Sequence, residues 1–138
     1  MTTAVILAGG EGTRLRPYTT VLPKPLMPVG DYPIIEILIR QLRRHGVREL
    51  VIAVGYLASL IEAYCGDGSR WGVRIRYSHE TERRGTAGPL TLISGFDAPI
   101  VVVNGDLLTD LDFRAIFNHN KNVYFVKLTK KYRQEIWN

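Results

Sequence analysis

The feature that most limits what this chain can fold into is a set of short, unbroken apolar runs separated by segments of helical rhythm. Thr3 to Leu7 is an aliphatic, partly β-branched run that stops at glycines; Glu49 to Val54 repeats the pattern, and Ile100 to Val103 is the most apolar of the three. Runs of this length without polar alternation suit buried strands. Between the first two, Asp31 is placed to cap a helix and Pro33 lies near its first turn. Ile34, Leu38 and Leu42 then recur at helical spacing until Gly46. Leu57 to Cys65 reads as a short helix, Arg74 to Ser78 as a strand of alternating polarity, and Pro89 to Ser94 as a further helical segment. Strands alternating with helices predict an α/β fold, a mainly parallel sheet with helices on both faces. Such sheets bind ligands at the carboxyl ends of their strands. The glycines after the first run and Asn104-Gly105-Asp106 after the last both fall at such ends, so they are expected to share one site.

Composition narrows the setting. With 138 residues, 46% of them hydrophobic, the chain can build a core of its own. Its single cysteine, Cys65, cannot close an internal disulfide, and no basic stretch leads into a long apolar run at the start. A cytoplasmic protein is expected. No stretch approaches the roughly 20 apolar residues that a membrane-spanning helix requires. The net charge of +5 hints at nucleic acid until it is located: residues 121–138 hold five basic side chains against Glu135 alone. The first 120 residues are nearly neutral, so a nucleic-acid-binding face is not expected.

Glycines let backbone N–H groups approach an anion with no Cβ in the way, and neighbouring arginines add charge-assisted hydrogen bonds to phosphate oxygens. The string Leu7-Ala8-Gly9-Gly10-Glu11-Gly12-Thr13-Arg14 therefore suits a nucleoside triphosphate. It is not a Walker loop, because no Gly-Lys-Ser/Thr occurs. It is not the dinucleotide fingerprint either: Leu15 stands where the third glycine belongs, and the second run ends in Val54-Gly55 without an acidic residue. The four letters Gly-Gly-Glu-Gly alone fit an ordinary glycine turn equally well.

The longer string is more specific. Gly9-Gly10-x-Gly12-Thr13-Arg14-Leu15-x-Pro17-x-Thr19 followed by Pro23-Lys24-Pro25 resembles the signature of the sugar-1-phosphate nucleotidylyltransferases. The likeness continues through Glu80, Gly85-Thr86-Ala87-Gly88-Pro89-Leu90 and Asn104-Gly105-Asp106, covering roughly residues 3–116, and within the family is strongest to mannose-1-phosphate guanylyltransferases. The resemblance implies a Rossmann-like sheet of the nucleotide-diphospho-sugar transferase type. It implies a reaction in which an oxygen of a sugar-1-phosphate attacks the α-phosphorus of a nucleoside triphosphate, releasing pyrophosphate. GTP and mannose-1-phosphate are the expected partners, with Mg²⁺ as cofactor.

Carried onto this sequence, the resemblance makes Leu7, Ala8, Gly9, Gly10, Gly12 and Thr13 backbone contacts to the nucleotide. Arg14 and Lys24 become the catalytic cations. A planar guanidinium can hold two phosphate oxygens at once, and Lys24 stands between two prolines that restrict its backbone. Arg16 is as well explained by a surface ion pair. Asp106, emerging from the most apolar run, becomes the Mg²⁺ ligand; on spacing alone it is an ordinary turn residue. Glu80, Gly85 and Thr86 would meet the base. A carboxylate accepts but cannot donate, so Glu80 suits guanine, whose edge offers N–H groups; a solvated loop glutamate is the plainer alternative. Members of the family often carry leucine before Gly85, where this chain has Arg84.

His45, His79 and His119 show no metal-ligand spacing. Trp71 and Tyr77 read as packing residues, and Cys65 as a small buried hydrophobe. Residues 1–117 form the expected nucleotide-binding core and 118–138 a basic tail, in which Val123 to Leu128 could be a strand; the tail could cover a sheet edge or mediate a homo-oligomer. The family's sugar pocket and second acidic metal ligand have no visible counterpart, so the chain reads as a short form. A nucleotide-binding module that performs no chemistry is the competing reading.

Overall fold

The computed structural model describes residues 3–10, 21–79, 100–106, 108, 112–117, 123–128 and 134–137. Six strands form one sheet: β1 (Thr3–Ala8), β4 (Glu49–Val54), β5 (Arg74–His79), β6 (Ile100–Asn104), β7 (Val123–Leu128) and β8 (Gln134–Trp137), in the order β5-β4-β1-β6-β7-β8. All neighbours are parallel except the last pair, so β8 is an antiparallel edge. The expected α/β architecture is therefore observed, and residues 118 onward contribute two of its strands. β2 (Pro28–Val29) and β3 (Tyr32–Pro33) make a separate small ribbon. Among the described residues, no helix is long and apolar enough to cross a membrane.

The order explains where ligands can gather. From β1 the chain moves twice in one direction, through α1 (Ile34–Arg44) to β4 and through α2 (Ala58–Cys65) to β5. Right-handed crossovers that move the same way put their helices on the same face. Ile35, Leu38, Ile39 and Leu42 of α1 and Ile61 and Cys65 of α2 accordingly join Ala4, Ile6, Leu50, Ile52 and Val101 in one core. Alternate residues Val5, Val51, Ile100 and Val102 point to the opposite face and are also buried. Both faces are covered, which is why the strands read as continuous apolar runs. β6 then pairs on the other side of β1, so the strand order reverses between β1 and β6, the position at which open α/β sheets bind ligands.

Two local expectations are corrected. Asp31 does not cap α1: Val29 pairs with Tyr32 and Pro28 with Pro33, so Gly30 and Asp31 form the tight turn of the ribbon. Gly30, with φ of 62°, supplies the left-handed residue such a turn demands. The helix instead starts after Pro33, which has no side-chain cap. Leu57 lies outside α2, as its N-cap in the left-handed region with φ of 53°. The helical expectation for Pro89 to Ser94 lies outside the described residues. Gly46 ends α1 as expected, with φ of 101° and its N–H donated to the Arg43 carbonyl.

Candidate functional site

Because β1, β4 and β6 run parallel, the segments that leave them emerge side by side. Leu7 is in register with Asn104 and Ala8 with Val54. Beyond the ladder, the Gly105 N–H donates to the Leu7 carbonyl at 2.8 Å, and the Tyr56 N–H reaches the Gly9 carbonyl at 3.4 Å. The start of the glycine loop is thus held from both sides. Leu57, next to Tyr56, adopts a backbone conformation that costs a branched residue about 1 kcal/mol or more. Its turn carries the chain from β4 past Gly9 into α2. Gly10 is exposed, and among the described residues a Cβ there would meet nothing within 4 Å. Its backbone is open to a ligand.

Gly105 is constrained by space. A Cβ would lie 3.2 Å from the Leu7 carbonyl oxygen, 3.2 Å from Pro25 Cγ and 3.3 Å from Ala8 Cβ. The absent side chain lets the Pro23-Lys24-Pro25 segment pack directly on the end of β6. That segment is built to hold one orientation. Lys24–Leu26 is a single 3-10 turn, with the Leu26 N–H on the Pro23 carbonyl at 2.9 Å and the Met27 N–H on the Lys24 carbonyl at 3.0 Å. Pro23, Pro25 and Leu26 are buried, anchoring the turn on both sides of the lysine.

The result is one close contact. Lys24 Nζ lies 2.6 Å from Asp106 Oδ2, with the two side chains 38% and 33% exposed. Residues distant in sequence meet where the strand order reverses, beside the glycine loop. Leu7, Ala8, Gly9, Gly10, Lys24 and Asp106 are brought together. Gly12, Thr13, Arg14, Glu80, Gly85 and Thr86 lie outside the described residues. Sequence reasoning did not reveal the Tyr56 and Gly105 contacts, because a backbone hydrogen bond or the lack of a Cβ leaves no long-range signal in the letters.

The donor set bears on the metal. Among the described residues no group of three or more His, Cys, Asp or Glu could enclose an ion. A single accessible carboxylate still fits Mg²⁺, which keeps several waters and commonly takes one or two protein carboxylates plus substrate phosphate oxygens.

A second charged cluster lies on the helical face. Glu36 of α1 is 5% exposed. It accepts hydrogen bonds from Arg40 Nη2 at 2.8 Å, Arg40 Nε at 3.0 Å, Trp71 Nε1 at 3.1 Å and the Tyr64 hydroxyl. Burial pushes its carboxyl up, but the bonds from Tyr64, Arg40 and Trp71 together outweigh burial and hold it below the ordinary value. Arg70 stacks on the Tyr64 and Trp71 rings, 4.4 and 4.0 Å from their centroids. Trp71 is indeed a packing residue, and Tyr77 packs against the core while donating to the Gly66 carbonyl. Cys65 is 2% exposed, and burial pushes its thiol up to about 12. His45 accepts the Phe113 N–H, and His79 lies 2.7 Å from Glu62; both are local anchors.

The chain is similar to known proteins in sequence and in fold. Residues 3–130 match the family model described as nucleotidyl transferase. The chain is 38% identical to UTP–glucose-1-phosphate uridylyltransferase of Synechocystis over 148 residues, spanning 96% of this chain and 38% of that one. It is 42% identical to mannose-1-phosphate guanyltransferase of Yarrowia lipolytica over 124 residues, 86% of this chain and 34% of that one. A solved structure of a candidate glucose-1-phosphate thymidylyltransferase from Bacillus anthracis superposes with a TM-score of 0.79 at 32% identity, covering 84% of this chain and 48% of that one. The chain thus spans less than half the length of each of these relatives. With the match running through the glycine loop, the Lys24 turn and the Asp106 end of β6, the chain belongs to the nucleotidyl transferase family.

Proposed function

We propose that this chain binds a nucleoside triphosphate across the β1 and β6 ends and transfers its nucleotidyl group to a sugar-1-phosphate. The observation that carries the reading is the meeting of Lys24 and Asp106 at 2.6 Å beside Gly9 and Gly10. Two anions must be brought together, and fixed cations lower that cost. The exposed Gly10 backbone can lie against the phosphates. Lys24, fixed by its turn, would neutralise charge on the phosphoryl oxygens as the sugar phosphate oxygen bonds to the α-phosphorus and pyrophosphate departs. Asp106 would hold Mg²⁺, which when bound supplies charge neutralisation to the triphosphate. Arg14 is proposed as a second phosphate contact.

GTP and mannose-1-phosphate are the proposed substrates. Glu80 supports guanine as an all-acceptor side chain, and the Yarrowia relative carries that activity in its name. The Synechocystis and Bacillus relatives are named for uridylyl and thymidylyl transfer, so the base is the finer part of the proposal. A cytoplasmic location is proposed with it.

The test crosses GTP, UTP and dTTP with mannose-1-phosphate and glucose-1-phosphate and reads pyrophosphate release. The expected result is release only with a sugar phosphate present, fastest for GTP with mannose-1-phosphate. Lys24→Ala should lower kcat on the order of 10²-fold, the loss typical of removing one preorganised electrostatic contact to the transition state. Nucleotide binding without product would replace the enzyme with a binding module, and faster turnover of UTP or dTTP would reject the role of Glu80.

A further inference from the structure

We infer that the Lys24–Asp106 ion pair is a latch that couples the divalent cation to the triphosphate. While the pair is closed, each side chain occupies the group that the other's ligand needs, so cation and polyphosphate each bind more tightly when the other is present. The inference rests on the proposed triphosphate site but concerns the order and linkage of binding rather than the reaction.

The contact is short and the two groups are mounted independently. Lys24 stands on a 3-10 turn anchored by buried Pro25 and Leu26, and Asp106 follows a residue whose N–H is fixed to the Leu7 carbonyl. The space a Cβ of Gly105 would fill lies 3.2 Å from Pro25 Cγ, so the two backbones pack closely. Opening the pair is therefore a matter of rotating two side chains that are 38% and 33% exposed. Such rotations are fast compared with ligand exchange.

Charge decides the sign of the coupling. A divalent cation alone must draw Asp106 away and leave the Lys24 ammonium beside it, unpaired and of like charge. A triphosphate alone must draw Lys24 away and leave the Asp106 carboxylate facing an anion. With both present, carboxylate, cation, phosphate and ammonium alternate in sign, and neither half of the broken pair is left unmatched. Linkage then requires each ligand to raise the affinity of the other by the same factor.

The latch predicts two gains of affinity. Mn²⁺ is titrated alone and followed by electron paramagnetic resonance; GTP, UTP and dTTP are titrated in turn by calorimetry in EDTA and again with Mn²⁺. Wild type should bind at least one triphosphate about fivefold or more tightly with Mn²⁺ than without, the lower end of ordinary coupling. Lys24→Met should bind Mn²⁺ alone about two- to fivefold more tightly than wild type, the release expected from an exposed ion pair. Asp106→Asn should bind the metal-free triphosphate more tightly by a similar factor and lose the enhancement by Mn²⁺. Coincident melting curves of the three chains verify that each is folded. Unchanged or weaker Mn²⁺ binding by Lys24→Met, or unchanged or weaker metal-free nucleotide binding by Asp106→Asn, overturns the latch while the triphosphate site stands. Failure of all three nucleotides to bind wild type, with or without Mn²⁺, removes both.

Discussion

Glu36 and Asp106 are both carboxylates paired with a basic side chain, and the contrast between them separates a structural ion pair from one that can exchange partners. Glu36 is 5% exposed and engaged by Arg40, Trp71 and Tyr64, so its acceptor sites are filled from within the protein. Asp106 is a third exposed and meets Lys24 at the mouth of the sheet, where both groups also face solvent. A buried carboxylate survives only when its lone pairs are satisfied. An open pair gains little from its partner and can give it up. The closed cluster fastens α1 to α2 and the Trp71 turn; the open one sits where the strand order reverses.

The largest effect expected from this contrast is on stability. Glu36→Ala strands the indole N–H of Trp71, which is 9% exposed, and removes the partner of the Tyr64 hydroxyl. Each orphaned donor costs about 1–3 kcal/mol, so the variant should unfold in urea about 2–4 kcal/mol more easily. Asp106→Ala should cost less than about 1 kcal/mol, because the group it leaves behind is exposed to water. Equal losses in the two variants would break the comparison, showing that the site end contributes to the fold as much as the helical cluster.

Next in size is Gly105→Ala, which sharpens the distinction from the site side. No unusual backbone angle forbids the alanine, so only space opposes it: its Cβ would press on the Leu7 carbonyl oxygen and Pro25 Cγ. Relieving contacts of that kind costs about 1–3 kcal/mol, with the lower half of that range expected here because each neighbour need move only a few tenths of an ångström. The wedge lies between the mounts of Lys24 and Asp106, so triphosphate affinity should fall by more than the stability loss explains. Binding equal to wild type at full occupancy of the folded state would show that the spacing of the two mounts is loosely specified.

The two clusters also differ in how well the letters announced them. The strands, α1 and α2 were legible because burial on both faces imposes continuous apolar runs and helix periodicity is a local property; β4 runs from Glu49 to Val54 as expected. Asp31 misled because a good capping residue is equally a good turn residue, and the pairing of β2 with β3 decided between them. Lys24 and Asp106 each carried a local sign, prolines around one and an apolar strand before the other, but nothing local says that their side chains meet. Glu36 was missed for a different reason. Its i, i+4 spacing to Arg40 looks like a solvent-facing pair, and only the polar tips of Trp71 and Tyr64, which need partners when buried, hinted otherwise.

The smallest expected effect is a pH dependence that belongs to the closed cluster. Glu36 in the folded chain titrates below its ordinary value of 4.5, because hydrogen bonds from Tyr64, Arg40 and Trp71 outweigh the opposing effect of burial. The unfolded chain therefore takes up the proton first as the solution is acidified. The contribution of the ionised carboxylate is fully present above pH 4.5 and is lost as pH falls through the lower folded value. Asp67 and Asp112 are also held low, by hydrogen bonds from Ser69 and Arg114, so a background of acid destabilisation is common to every variant that retains them. The informative quantity is the stability difference between wild type and Glu36→Gln, which keeps one acceptor oxygen for Trp71 and Arg40, sets an amide N–H against the Tyr64 hydroxyl and carries no charge. That difference should be constant from neutral pH down to about 5 and shrink below it. Asp106→Asn leaves Glu36 in place, so its acid limb retains the Glu36 contribution. A difference between wild type and Glu36→Gln that stays flat throughout acid unfolding would mean that Glu36 takes up its proton at the same pH folded and unfolded, so that its hydrogen bonds only balance burial, and the contrast between a closed charge and an open one would lose its closed member.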